Sequence, residues 1–251
     1  MRRHGTCRRE ATEMGRWMML LLLLLGFVVG CRDEQETQSR TDPRQAAGEL
    51  ALPAAPGGEV SPEEVTRLID QLGSTKFSER ISAALRLGKS GAPEAASALL
   101  AALRDECALS DRQVEARNME GPGLTPAVAS GFVKGAYQMG LWKLGPQVRE
   151  EVQGELARAD GEFHDWLVIV LGYLGDKEQL EPLMTLAQGS PDGFVREAAA
   201  RALGHLGRAE AIPVLQDALN DPFVVQMHDV RIPLVREAAR AALRQLGAQE
   251  Q

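Results

Sequence analysis

Residues 195–207 read VREAAARALGHLG and residues 235–247 read VREAARAALRQLG, one thirteen-residue phrase written twice, forty residues apart. A third copy, RISAALRLGKSGAPEA at 80–95, aligns without a gap on REAAARALGHLGRAEA at 196–211. Arg80 falls on Arg196, Leu87-Gly88 on Leu203-Gly204, Gly91 on Gly207, and Glu94-Ala95 on Glu210-Ala211. Weaker copies end at Leu144-Gly145 and Leu174-Gly175. The terminal glycines Gly91, Gly145, Gly175, Gly207 and Gly247 are therefore separated by 54, 30, 32 and 40 residues. A unit of about 31 residues with two inter-repeat insertions accounts for all four spacings, and fixed periods of this size indicate stacked supersecondary units.

Each unit reads as a pair of helices. Across 194–206 the apolar and small residues recur at helical spacing, and Gly207 then ends the helix. A second helix follows over 209–219, with Ala211, Ile212, Leu215 and Leu219 on one stripe. Ser61-Pro62-Glu63-Glu64 has the form of a capping box with proline in the first turn, and Thr125-Pro126 repeats the start signal for a long helix ending near Leu144. The pattern predicts ten helices and no strand. Amphipathic pairs cannot cover their own apolar faces, so the pairs must stack.

The phrase resembles HEAT-like repeats, especially the short type found in phycobilisome (PBS) lyases, over residues 61–247; it is strong at 80–95, 195–220 and 235–247. It is poor at 124–159, where Trp142 stands in place of the first glycine. The resemblance implies an all-α, HEAT-like α-solenoid of about five stacked helix pairs, occupying residues 61–251.

The N-terminal part has a different character. Met18 to Val29 is a run of twelve apolar or glycine residues, MMLLLLLLGFVV, preceded by Arg16 and closed by Gly30-Cys31. A basic start, a short apolar run and a small residue before the cut describe an export signal, because a membrane span needs about 20 apolar residues. Val28-Val29-Gly30-Cys31 resembles a bacterial lipobox, which implies lipidation of Cys31 as the first mature residue and residues 1–30 as its signal peptide. Met14 opens a complete signal of its own, so residues 1–13 read as a misplaced start. Residues 31–60 then comprise the lipidated cysteine and a tether rich in Gln, Glu, Thr, Ser, Pro, Gly and Ala, with too little apolar surface to offset its ordering entropy.

The chain carries 28 basic and 35 acidic residues, a net charge of −7. The first thirty residues hold five arginines against Glu10 and Glu13, so the mature chain is at −10. This acidity argues against nucleic-acid binding, which needs a basic face. Cys107 is the single cysteine outside the export segment, so the repeats carry no disulfide and no zinc-finger pattern. No cofactor or metal is expected.

Eleven residues before each terminal glycine stands a basic residue: Arg80, Lys134, His164, Arg196 and Arg236. These, with Asp160 and Asp192 four residues before His164 and Arg196, are expected to form a structural ladder between repeats. Glu106–Gly123 and Phe223–Ile232 are the two insertions, both after a second helix and so on one edge. The second reads as a partner-binding loop or as a flap covering the end of the stack. Phe223, Val224, Met227, His228, Asp229 and Arg231 are its candidate contact residues. On the second helices, Arg149, Lys177 and Glu181, together with Glu150, Gln153, Gln216 and Asp217, are expected on the exposed face. Trp142 and Trp166 are expected in the core, and Gly131, Gly135 and Gly140 at close helix contacts. His228 beside Asp229 lacks a third group, so no catalytic residue is assigned.

The resulting expectation is a non-enzymatic scaffold. It is anchored through its N-terminal lipid in the cell envelope, at the outer membrane or its periplasmic face, and it binds a protein partner. An accessory subunit, a bilin-lyase-like enzyme built on the same repeats, and a purely structural envelope protein are the alternatives.

Overall fold

The computed structural model describes residues 60–117, 124–227 and 230–248. The signal, Cys31 and most of the tether lie outside the described residues, as do His228 and Asp229. A compact unit runs over Gly58–Gln251. Its described helices, in chain order, are α1 (Pro62–Gln71), α2 (Phe77–Leu87), α3 (Glu94–Cys107), α4 (Asp111–Arg117), α5 (Pro126–Leu144) and α6 (Arg149–Leu156). They continue with α7 (Gly161–Tyr173), α8 (Leu180–Gly189), α9 (Gly193–Leu206), α10 (Ile212–Ala218) and α11 (Leu234–Gln245).

The architecture is an all-α, HEAT-like solenoid. Four helix pairs, α2/α3, α5/α6, α7/α8 and α9/α10, stack between a leading α1 and a final α11. The first helices form one layer in which α2 packs on α5, α5 on α7, α7 on α9 and α9 on α11. Three of the four second helices are entered through a single 3-10 turn, at Pro146–Val148, Lys177–Gln179 and Ala209–Ala211.

Local chemistry sets the helix ends. The Ser61 hydroxyl accepts from the Glu64 N–H at 3.2 Å, and Thr125 accepts from the Val128 N–H at 3.4 Å. The Glu64 carboxylate is engaged by Arg67 at 2.6 Å and by Arg86 of α2 at 2.5 Å, so it ties α1 to the next helix. All five terminal glycines sit at positive φ: 65, 91, 78, 70 and 67° in chain order. At Gly207 this left-handed turn lets its N–H reach the carbonyls of Leu203 and Gly204 at 3.3 and 3.2 Å, which a side chain would disfavour.

The first glycine of the phrase has a separate role. A Cβ on Gly88 would lie 2.7 Å from the carbonyl oxygen of Gly140, and one on Gly204 would lie 2.8 Å from the Cα and Cβ of Ala242. Gly172 would similarly meet Ala202 at 3.3 Å. Consecutive first helices therefore touch backbone to backbone through small residues. Gly131 is also closed, by the ring of Phe194, whereas Gly135 faces open space rather than a helix contact.

Trp142 interrupts this column. It is half-buried, and its ring lies 5.5 Å from Tyr173 and 5.1 Å from His205, across the ends of α5, α7 and α9. Trp166 is buried, with its indole N–H on Glu162 at 3.1 Å. Between α5 and α9, α7 is buried on every side from Trp166 to Tyr173. An apolar stripe cannot be read from a helix that is apolar all round, which explains the weak repeat signal there.

Two features depart from the sequence pattern. The first insertion contains an eleventh helix, α4, and the second contains a hairpin of β1 (Val225–Met227) and β2 (Val230–Ile232). The strands are antiparallel, with Val225 opposite Ile232 and Met227 opposite Val230. Three residues are too few to establish an alternating period.

Leu203 has no exposed surface. Leu203→Ala is expected to lower stability by about 2–5 kcal/mol in urea titrations followed by circular dichroism. Leu203→Asp should prevent folding altogether, since a buried unpaired charge costs a large part of the roughly 5–15 kcal/mol that holds a domain together.

Candidate functional site

Arg80, Lys134 and Arg196 each reach an acid supplied by a later segment. Arg196 holds Asp221 through two hydrogen bonds, at 2.7 and 3.1 Å, and donates to the carbonyl of Ser190 at 2.7 Å. Arg80, wholly buried, donates to the carbonyl of Ser74 at 2.7 Å and stands 3.9 Å from Glu106. Lys134 is hydrogen-bonded to Glu162, with Asp192 3.8 Å away.

The basic residues are thus at the positions read from the sequence; of the two expected acids Asp192 does join a rung, beside Lys134, and three further acids complete the set. Glu106, Glu162 and Asp221 follow their partners by 26, 28 and 25 residues, a near-constant spacing that would have identified them. Asp192 has a double role, since it also caps α9 by accepting from the Phe194 N–H at 2.8 Å. Asp160 is exposed and makes no cap bond. His164 faces Asp165 of its own helix at 3.6 Å, so it forms no rung between repeats. Arg236 is half-buried near Asp221, whose carboxylate is already gripped by Arg196.

Burial opposes the charge at these sites, and the partners restore it. Desolvation works against the Lys134 ammonium, yet Glu162 and Asp192 hold it above its ordinary range. Burial likewise pushes Asp221 upward, but the bonds from Arg196 and the Phe223 N–H bring its carboxyl below the usual value. At Arg80 burial prevails over Glu106 and lowers the guanidinium. Glu106 also accepts from the Ser130 hydroxyl at 2.8 Å and lies 3.6 Å from Arg117 of α4, so the first insertion enters the same polar node.

The second insertion is anchored by its apolar residues. Phe223 packs edge-on against Phe194 at 5.2 Å, covers Gly193, and joins Ala218, Val235 and Ala239. Phe223 is therefore a packing residue rather than a displayed contact. Val225 is buried, Val224 and Met227 are half-buried, and Arg231 is exposed. Arg149 also turns inward, donating to the carbonyl of Leu174 at the end of α7. Lys177 and Glu181 are exposed, as are Glu150, Gln153 and Asp217; Gln216 is half-buried.

A cleft of about 610 Å³ lies between α3 and the α6–α7 junction. Arg104 there is paired with Glu155 and sits 5.0 Å over the Phe163 ring, while Arg158 shares Glu155 at 3.1 Å. Cys107 borders the cleft, but burial first, and then Glu162 and other nearby acids, push its thiol well up, so little thiolate forms. Among the described residues no group of three His, Cys, Asp or Glu side chains is placed to hold a metal ion.

Residues 152–244 match the family model for HEAT repeats, and residues 79–105 match that for the PBS lyase HEAT-like repeat. Comparison with curated proteins gives no match. The repeats are of the HEAT type.

The Arg196–Asp221 pair carries a pH signature. A carboxyl depressed in the fold contributes stability above its unfolded pKa, near 3.9, and loses that contribution as pH falls through its lower folded value. Asp221→Asn should therefore lower the melting temperature at pH 7 and reduce its fall between about pH 4 and pH 2. Thermal melts across that range measure both effects.

Proposed function

We propose that this chain is a lipid-anchored, non-enzymatic scaffold that holds a protein partner at the cell envelope. HEAT repeats commonly mediate protein–protein interaction, which supports the binding role. The observation that carries it is the asymmetry of the layers. The first helices α5, α7 and α9 are almost wholly buried, whereas α3, α6, α8 and α10 and the turn leading into α8 expose polar residues along the stack, among them Glu150, Gln153, Lys177, Glu181 and Asp217. An interaction surface of this kind spreads its contacts over several repeats, with a few central residues dominating.

The anchor rests on the Val28-Val29-Gly30-Cys31 motif. Arg32 in place of aspartate after the cysteine favours an outer-membrane destination. The PBS lyase HEAT-like match at 79–105 keeps a second reading open, an accessory subunit of a bilin-lyase-type enzyme. In that case pigment attachment to a co-expressed antenna protein would depend on this chain.

Two outcomes test the proposal. Cys31→Ser should abolish palmitate labelling and release the protein from the membrane fraction, because stable anchoring needs more than one acyl chain. A photocrosslinker at Lys177 or Glu181 should trap a discrete partner in intact cells. Reversing both charges should weaken that capture several-fold, with helicity unchanged.

A further inference from the structure

α5 carries no charge between Pro126 and Trp142 except the buried Lys134. From Ala129 to Leu141 every residue is buried but Phe132, Gly135 and Met139, which are half-buried; Val128 and Trp142, half-buried too, lie in line with them. These five follow one another at steps of four and three residues, so they form one apolar strip along the helix. Counted back from the terminal glycines, Gly135 and Met139 stand where α9 has the Glu197–Arg201 ion pair. A Cβ on Gly135 would meet nothing within 4 Å, which leaves a notch in the middle of the strip.

We propose that residues 50–56, LALPAAP, which precede α1 and lie outside the described residues, dock on this strip of their own chain, with Leu50 at Gly135 and Leu52 at Met139. Residues 50–58 are the longest stretch without charge between Cys31 and α1. In an extended segment alternate residues point the same way about 6.5 Å apart, and four helical residues rise about 6 Å, so the two leucines match the two positions. The distance is within reach. α1 packs on α2 and α2 on α5, two helix spacings of about 8–10 Å each. Glu64 in the first turn of α1 is joined to Arg86 near the end of α2, and Gly88 lies against Gly140, so Ser61 and the strip belong to the same end of the layer. The nine residues from Leu52 to Ser61 span up to about 30 Å. A linker this short keeps the segment at an effective concentration of about millimolar, so even a weak contact is populated. A second copy fits the strip less well. What remains exposed of these half-buried side chains is far below the roughly 800 Å² per partner of a stable dimer. The contact is independent of the anchor and of the second-helix surface, and it takes the strip out of water.

A benzophenone amino acid in place of Met139, in the full chain purified in mild detergent, tests the contact. Irradiation followed by trypsin should join residues 135–143 to residues 45–67 within a single chain, with fragmentation placing the link at 50–56. Leu50→Asp/Leu52→Asp should lower its yield several-fold while the circular dichroism stays that of the wild type. The same group at Thr185, exposed on α8, should not give the link. If the substitution at Met139 lowers helicity, the benzophenone is carried at Phe132, where an aromatic ring already stands. A link to a second copy at dimer mass, a link that survives the two leucine substitutions, or none from either position would each overturn the proposal.

Discussion

The stack depends on how closely one first helix can approach the next. Gly88 lies against Gly140, Gly172 against Ala202 and Gly204 against Ala242, at separations that leave no space for a larger side chain. At this distance, dispersion between backbones adds to the burial of Leu203, Leu215 and Leu243, and many small contacts do the work of a few large ones. The arrangement also sets the angle of each layer, since a small residue on one helix has to meet a small residue on its neighbour. Where the column fails, at Trp142, the structure compensates with a ring cluster against Tyr173 and His205.

The polar rungs have a different character. Arg196 with Asp221, Lys134 with Glu162, and Arg80 with Glu106 join segments 25–28 residues apart, at the positions where the chain passes from one repeat to the next. Desolvation offsets much of their attraction, so they specify register more than they add stability. Both insertions are built around these nodes. α4 brings Arg117 to Glu106, and the segment after α10 brings Asp221 to Arg196 and seats Phe223 on Phe194. The insertions are integrated into the layers rather than appended to them.

The repeated phrase carried the fold because glycine, alanine and arginine occupy positions where backbone contact, helix termination and charge leave few substitutes. Ser61, Thr125 and the five terminal glycines could be assigned from local chemistry alone. The hairpin at 225–232 was not legible, since a three-residue strand has no period and owes its conformation to Val225 packing inward. Asp192 could be read as a rung acid and does stand beside Lys134, whereas Glu106, Glu162 and Asp221 lie 25–28 residues from their partners, beyond the reach of any local helical spacing. Arg149 reads as a surface residue from sequence and is inward, because its guanidinium finds a helix end, and of the two readings of the second insertion Phe223 follows the covering one, its ring seated over Gly193. Exposure at a single position follows from the neighbouring layer, which one repeat does not encode.

These constraints leave the exposed faces of the second helices as the surface on which sequence can vary without disturbing the stack, and the proposed binding role rests on those faces. The claim on which the rest stands is that consecutive first helices are held by small-residue contact. Hydrogen exchange of the full chain carrying Gly204→Val measures this most directly. Repeat proteins lose stability locally when one interface is broken. Protection should fall in α9, α10 and α11 while α2, α3 and α5 retain theirs. Unchanged protection across α9 and α11 would contradict the account.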